Sequence, residues 1–197
     1  MKITVAMLKR KLRKNVDLIV FLLFVTIVYA GGWQAEVFGF VQRGILAIGL
    51  FDAAPKHEIE EKPVRIDFKL YDEEGNIMEV AQLKGKTVFI NIWASWCPPC
   101  IAEMPGINKL YQRFKDDPDI SFLMISADEE QEKALSLYRR KEFDFPIYFP
   151  VSKLPSALSY KSIPSTFVIS PAGYIAYRKE GMASYDHSSF YDFLEKL

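Results

Sequence analysis

The segment that most limits what this chain can become is Thr87–Trp93 (TVFINIW), which runs through Ala94-Ser95-Trp96 straight into Cys97-Pro98-Pro99-Cys100. It lacks the polar alternation of a strand wetted on one side, so it reads as a strand covered on both faces. A helical stretch follows to about Lys115, and Ile120–Ser126 (ISFLMIS) repeats the buried-strand pattern. A right-handed crossover makes these two strands parallel neighbours.

The remaining elements extend the same sheet. Val64, Ile66, Phe68 and Leu70 alternate with polar residues, and the turn Asp72–Asn76 returns the chain through Ile77–Val80, which predicts a hairpin in front. Ser126 and Glu129 have capping-box spacing, and Glu129–Lys141 ends in Arg139-Arg140-Lys141, as suits a helix carboxyl end. Phe145–Phe149 reads as a short edge strand and Pro155–Tyr160 as a helical turn. Thr166–Ser170, Pro171-Ala172-Gly173 and Tyr174–Arg178 form a second hairpin. Phe190, Phe193, Leu194 and Leu197 mark an amphipathic final helix. The fold class is α/β: a central mixed sheet with helices on both faces and an added N-terminal hairpin.

The amino-terminal third has a different character. Residues 1–17 hold Lys2, Lys9, Arg10, Lys11, Arg13 and Lys14 against Asp17, although the whole chain is neutral. From Leu18 to Ala35 there is no charge, which predicts one transmembrane helix with Trp33 in an interfacial belt. The positive-inside rule places 1–17 in the cytoplasm and everything beyond the anchor outside it, so the single-pass protein sits in the cytoplasmic membrane with its domain on the periplasmic or extracytoplasmic side. Two alternatives stay open. Val28-Tyr29-Ala30 has signal-peptidase spacing, so residues 1–30 could be cleaved. Val37–Phe51 could return through the bilayer, at a cost for Arg43 of about 2.5–3.5 kcal/mol; the preferred reading is that it lies along the membrane surface or extends the first helix. Residues 36–63 then form an interfacial segment and a charged, proline-flanked linker, and 64–197 form the globular domain.

The two cysteines exclude a disulfide framework and a four-thiolate zinc site. Their placement is informative. Cys97 falls at a helix amino terminus, where unpaired N–H groups and the helix dipole favour a thiolate. Cys100, nearly one turn on, would be the less exposed resolving thiol. Pro98 and Pro99 remove N–H donors and restrict the loop, with an effect on redox potential whose sign the sequence leaves open. No metal is expected, since His57 lies in the linker and His187 before the last helix.

The run Val88–Cys100 with Glu103-Met104-Pro105 resembles the active-site segment of thioredoxin-fold oxidoreductases, and most closely the membrane-anchored TlpA-like branch that includes the thioredoxins of cytochrome c maturation. The resemblance covers about 64–197. It implies a protein-disulfide reductase whose only redox group is the Cys97–Cys100 pair, with no cofactor. Its partners would be client protein dithiols and disulfides and a membrane thiol-transfer protein as electron donor; no nucleic acid is implied. Cys97, Cys100 and Glu103 would be catalytic, with Glu103 moving protons or tuning the thiols, or else merely favouring the helix's first turns. Trp96, Pro98, Pro99, Ile163 and Pro164 would meet the client, Pro164 as a cis-proline. Pro105 would kink the helix, and Gly173 would match the family's following turn. Asn91 stands where thioredoxins proper carry a buried acid, so a proton relay would fall to Glu103 or water. Two rival readings are a copper or haem delivery module using Cys97, Cys100 and Met104, and a peroxiredoxin-like peroxidase, which would want Thr where this chain has Ala94.

Overall fold

The computed structural model describes residues 2–32, 34–46, 53, 63–64 and 67–197. Trp33, Ile66, His57 and nearly all of the linker lie outside the described residues.

Among the described residues seven strands form one mixed sheet in the order β2-β1-β5-β4-β3-β6-β7. The central pair is β3 (Thr87–Trp93) and β4 (Ile120–Ser126), parallel from Thr87 against Ile120 to Trp93 against Ser126. On the other side of β3 lies the antiparallel hairpin β6 (Ser165–Ile169) and β7 (Ile175–Glu180). Gly173 makes its turn at φ +84°, a conformation that suits glycine. The front hairpin is present as β1 (Lys69–Tyr71) and β2 (Ile77–Glu79). It changes one expectation: β1 pairs with β5 (Ile147–Pro150), so β5 is an interior strand and β2 takes the edge.

Every residue of β3 is buried, because both of its faces are used. Val88, Ile90 and Ile92 join one apolar cluster, while Phe89 and Trp93 join the other. The second cluster contains most of the buried residues of α3 (Pro98–Phe114) and those of α4 (Gln131–Lys141) and α5 (Ser188–Glu195). The expected layer of helices on both faces is thus not what forms. The units β3–α3–β4 and β4–α4–β5 advance in the same direction across the sheet, so right-handed crossovers put both helices on one face. The opposite face is closed by Val64, Phe68 and two 3-10 turns, Val80–Leu83 and Ser156–Leu158.

The capping box is also absent. Helix α4 starts at Gln131 with no side-chain cap, since the Ser126 hydroxyl is occupied by Asp128. It ends at Glu142 in the left-handed region (φ 53°), after the three basic residues.

The amino-terminal span is broken. Helix α1 (Lys2–Ala30) stops before Gly31 and Gly32, the latter at φ +69°, and α2 (Gln34–Leu46) starts in a new direction. Among the described residues no single helix is long and apolar enough to cross a membrane. Val16–Ala30 and Gln34–Gly44 reach that length and composition only together, and they are bent by 109°. Helix α2 therefore does not extend α1; it packs against α3 instead.

Candidate active site

The site forms where β3 hands over to α3. Cys97 is the N-cap of α3, in extended conformation, and is disulfide-bonded to Cys100. An N-cap acceptor ordinarily takes N–H groups from the second or third helical residue. Here Pro98 and Pro99 occupy the first two positions and have no N–H, so among the described residues the Cys100 amide alone donates to Cys97 Sγ, at 3.3 Å. The converging set of amides expected around this sulfur is reduced to one, plus the helix dipole.

Both sulfurs are shielded in this disulfide state. Cys100 is fully buried and Cys97 is 3% exposed. A solvent-open nucleophile is not what the oxidised chain presents. Trp96 behaves oppositely: it is 62% exposed, an apolar surface beside the dithiol, and the core aromatic is Trp93. The bond between Ile163 and Pro164 is cis, as the resemblance implies. Pro164 is buried at the start of β6, and its carbonyl accepts from Gly181 N at 2.8 Å. Ile163 is half-buried and packs on both apolar clusters. Pro98 and Pro99 are half-buried as well.

Glu103 is not a surface acid that helps a helix start. It is 2% exposed, on the inner side of α3. One carboxylate oxygen accepts from Asn91 Nδ2 at 2.8 Å and the other from Ala183 N at 3.1 Å. Asn91 Nδ2 also donates to Thr166 Oγ1 at 2.9 Å, which joins β3, α3 and β6 in one buried polar group. Burial pushes the Glu103 carboxyl up from 4.5 to about 8, against the smaller opposite pull of the Ala183 and Asn91 hydrogen bonds. The acid is therefore mostly neutral at pH 7. Beside it Tyr185 is fully buried, and burial, reinforced by Glu103, keeps its hydroxyl well above the usual phenol range. Cys100 and Glu103 are three residues apart on one helix, a spacing that puts side chains on the same face.

Asp128 is a part of the site that sequence reasoning missed. Its carboxylate accepts from Ser95 N at 2.9 Å, Ser95 Oγ at 2.7 Å and Ser126 Oγ at 2.8 Å. It therefore pins the loop that delivers Cys97. The signal was available: continuing the parallel register past Trp93 and Ser126 sets Ser95 opposite Asp128.

Met104 is fully buried in the apolar cluster, so it presents no sulfur beside the cysteines from outside. No group of metal-binding side chains occurs among the described residues. His187 caps α5, with Phe190 N donating to its Nδ1 at 3.3 Å.

Residues 60–194 match the family model described as Redoxin. The chain belongs to the redoxin family. It is similar to the thiol-disulfide oxidoreductase ResA of Bacillus subtilis (strain 168), with 30% identity over 144 residues, 68% of this chain and 80% of that protein. ResA of Bacillus anthracis is 32% identical over 127 residues, 64% of this chain and 71% of that protein. Among solved structures, StoA from Bacillus subtilis matches with a TM-score of 0.53 over 72% of this chain and 98% of that one; at 20% identity it speaks to the fold. This redoxin is a thioredoxin-fold thiol-disulfide oxidoreductase of the TlpA-like branch.

Proposed function

We propose that the chain is a membrane-tethered, extracytoplasmic reductase of protein disulfides, acting on clients such as those of cytochrome c maturation. The observation that carries this reading is the Cys97–Cys100 disulfide at the β3–α3 junction, with Cys97 as N-cap and a neutral carboxylic acid one turn beyond Cys100. In the reduced chain the Cys97 thiolate attacks one sulfur of a client disulfide. The client S–S bond breaks, one client sulfur leaves as a thiolate and takes up a proton, and a mixed disulfide remains. Cys100, deprotonated, then attacks Cys97 Sγ and releases the second client thiol. The client gains two electrons and two protons, and the chain ends with the disulfide seen here.

Recharging runs this sequence backwards. A dithiol of a membrane thiol-transfer protein opens the Cys97–Cys100 bond, and Cys100 departs as a thiolate. Glu103, which holds a proton in the disulfide state, hands it to Cys100 and is left as the carboxylate that accepts it back in the next client cycle. Asn91 and Ala183 N steady that carboxylate. Trp96, Pro98, Pro99, Ile163 and Pro164 would form the surface against which the client lies, with the backbone of Ile163 pairing with an extended client segment. The buried sulfurs imply that the partner's approach opens the site. The uncharged run Leu18–Ala35 supplies the apolar stretch for the tether.

Equilibration of the full chain with glutathione buffers tests the direction of flow. A potential near the reducing end of the thioredoxin range, roughly −270 mV, supports a reductant, and one near −120 mV overturns it. Cys100→Ser should trap a client on Cys97 as a mixed disulfide that dithiothreitol releases.

A further inference from the structure

Helix α2 is built the wrong way round for water. Its inner stripe against the domain holds Ala35, Gly39 and Leu46, while Val37, Phe38, Phe40 and Val41 face outward and are 37–71% exposed. A helix packed on a soluble domain carries polar residues on that outer side. The inner contact is close and specific. A Cβ at Gly39 would stand 3.0 Å from the Pro98 carbonyl oxygen and 3.3 Å from the Ile101 side chain. Glycine costs a helix about 1 kcal/mol against alanine, and here it lets two helices touch. Glu36 adds ion pairs to Arg140 and Lys141 of α4, the latter at 3.6 Å.

We propose that α2 lies in the plane of the membrane surface, its outer apolar face in lipid, and seats the dithiol edge of the domain on the bilayer. The proposal rests on the membrane-tethered reading above. Lipid is the occupant indicated because α2 continues directly from the exposed apolar residues of α1, Leu18–Ile27, through a two-glycine turn. The bend between the two is 109°. Where the apolar half of α1 enters the bilayer along its normal, such a bend leaves α2 within about 20° of the membrane plane, where an amphipathic helix buries its apolar face in the headgroup region. Arg43, near the carboxyl end of α2, lies 5.9 Å from the Phe40 ring centroid and lines a cleft on the domain side with Ala102 and Lys109, so its charge is kept off the outer apolar face.

The consequence is positional. Helix α2 is one helix diameter thick, about 10 Å, and the Pro98 carbonyl sits against it. The first turn of α3, with both cysteines, is therefore held about that far from the lipid instead of swinging on the linker. A cleft of about 600 Å³ lined by Phe38, Trp96, Pro98, Leu137 and Arg140 opens at the same edge. Partner thiols carried close to a membrane surface are the ones this arrangement serves.

The test uses the full chain with Cys97→Ser and Cys100→Ser, reconstituted in phosphatidylcholine–phosphatidylglycerol vesicles. Single cysteines placed by Val25→Cys, Phe40→Cys and Glu129→Cys carry an environment-sensitive fluorophore. The expected result is quenching of position 40 by a nitroxide at headgroup depth with protection from aqueous iodide, quenching of position 25 by a deep nitroxide, and the reverse pattern at 129. Position 25 in lipid with position 40 open to iodide overturns the in-plane helix and leaves the anchor standing. Both open to iodide overturns the anchor as well. Position 40 shielded from both quenchers marks a protein contact, such as a second copy, and also overturns the proposal. Gly39→Leu should push α2 off α3 and lower energy transfer from a donor at 129 to a headgroup acceptor; unchanged transfer would show that α2 does not seat the domain.

Discussion

Replacing Glu103 by glutamine probes the centre of the site. The folded-state carboxyl titrates near 8 instead of 4.5, with burial as the main cause. A pKa raised in the folded state means that the native chain holds a proton the unfolded chain has already lost. Stability from this group is complete below pH 4.5 and drains away as the pH rises to about 8, after which it is flat. The shift of about 3.5 units at 1.36 kcal/mol each sets the total at about 5 kcal/mol, an order-of-magnitude figure for so buried an acid. Glutamine cannot ionise, and its amide can still be satisfied. Its oxygen can accept from Ala183 N, and its Nε2 can donate to Asn91 Oδ1, which has no partner among the described residues. Denaturant titrations of the oxidised chain, from pH 4.5 to 8.5, should show the native sequence losing on the order of 1 kcal/mol per pH unit over most of that window. Glu103→Gln should lose clearly less and overtake it toward pH 8. Two parallel profiles would refute the assignment of a neutral, buried acid at this position.

Other perturbations separate neighbouring roles. Asn91→Ala removes a hydrogen bond that holds the Glu103 pKa down, so the carboxyl resonance of Glu103 should titrate above 8 in carbon-detected NMR. Asp128→Ala frees Ser95 and should cost about 2 kcal/mol in equilibrium unfolding, as expected for charged hydrogen bonds in a half-buried setting. Trp96→Ala alters an exposed side chain, so stability should stay within about 0.5 kcal/mol while client-disulfide reduction slows. Phe89→Ala empties the ring cluster of Phe122, Tyr185 and Phe190 and should cost about 4 kcal/mol, read from the shift in denaturation midpoint.

The core of the fold was legible wherever one local signal was enough. The bounds of β3 and β4 coincide with two apolar runs, because strands covered on both faces have no reason to mix in polar residues. The role of the cysteine pair was legible from its place between an apolar strand and a helical stretch. What stayed hidden depends on partners distant in sequence. Phe145–Phe149 reads as an edge strand until β1 is known to lie beside it. Ser126 looks like a helix cap until Asp128 claims its hydroxyl. Glu103 shows a carboxylate in the first turns of a helix, but its burial comes from the way β3, β6 and the Ala183 segment close over it. Residues 37–41 look equally apolar in a membrane span and in a helix laid against Pro98; the Gly39 contact with α3 and the Glu36 ion pairs with α4 distinguish the two.

The paired prolines between the cysteines have a chemical corollary. With no amide hydrogen at the second helical position, the sulfur of Cys97 gets one donor where a different dipeptide would provide two. Its anion is the less stabilised for it and the poorer leaving group, which tilts the couple toward giving electrons away. A single exchange of Pro99 for a residue that keeps its N–H would add the second donor, deepen the thiolate's well and turn the same scaffold toward oxidising its partners.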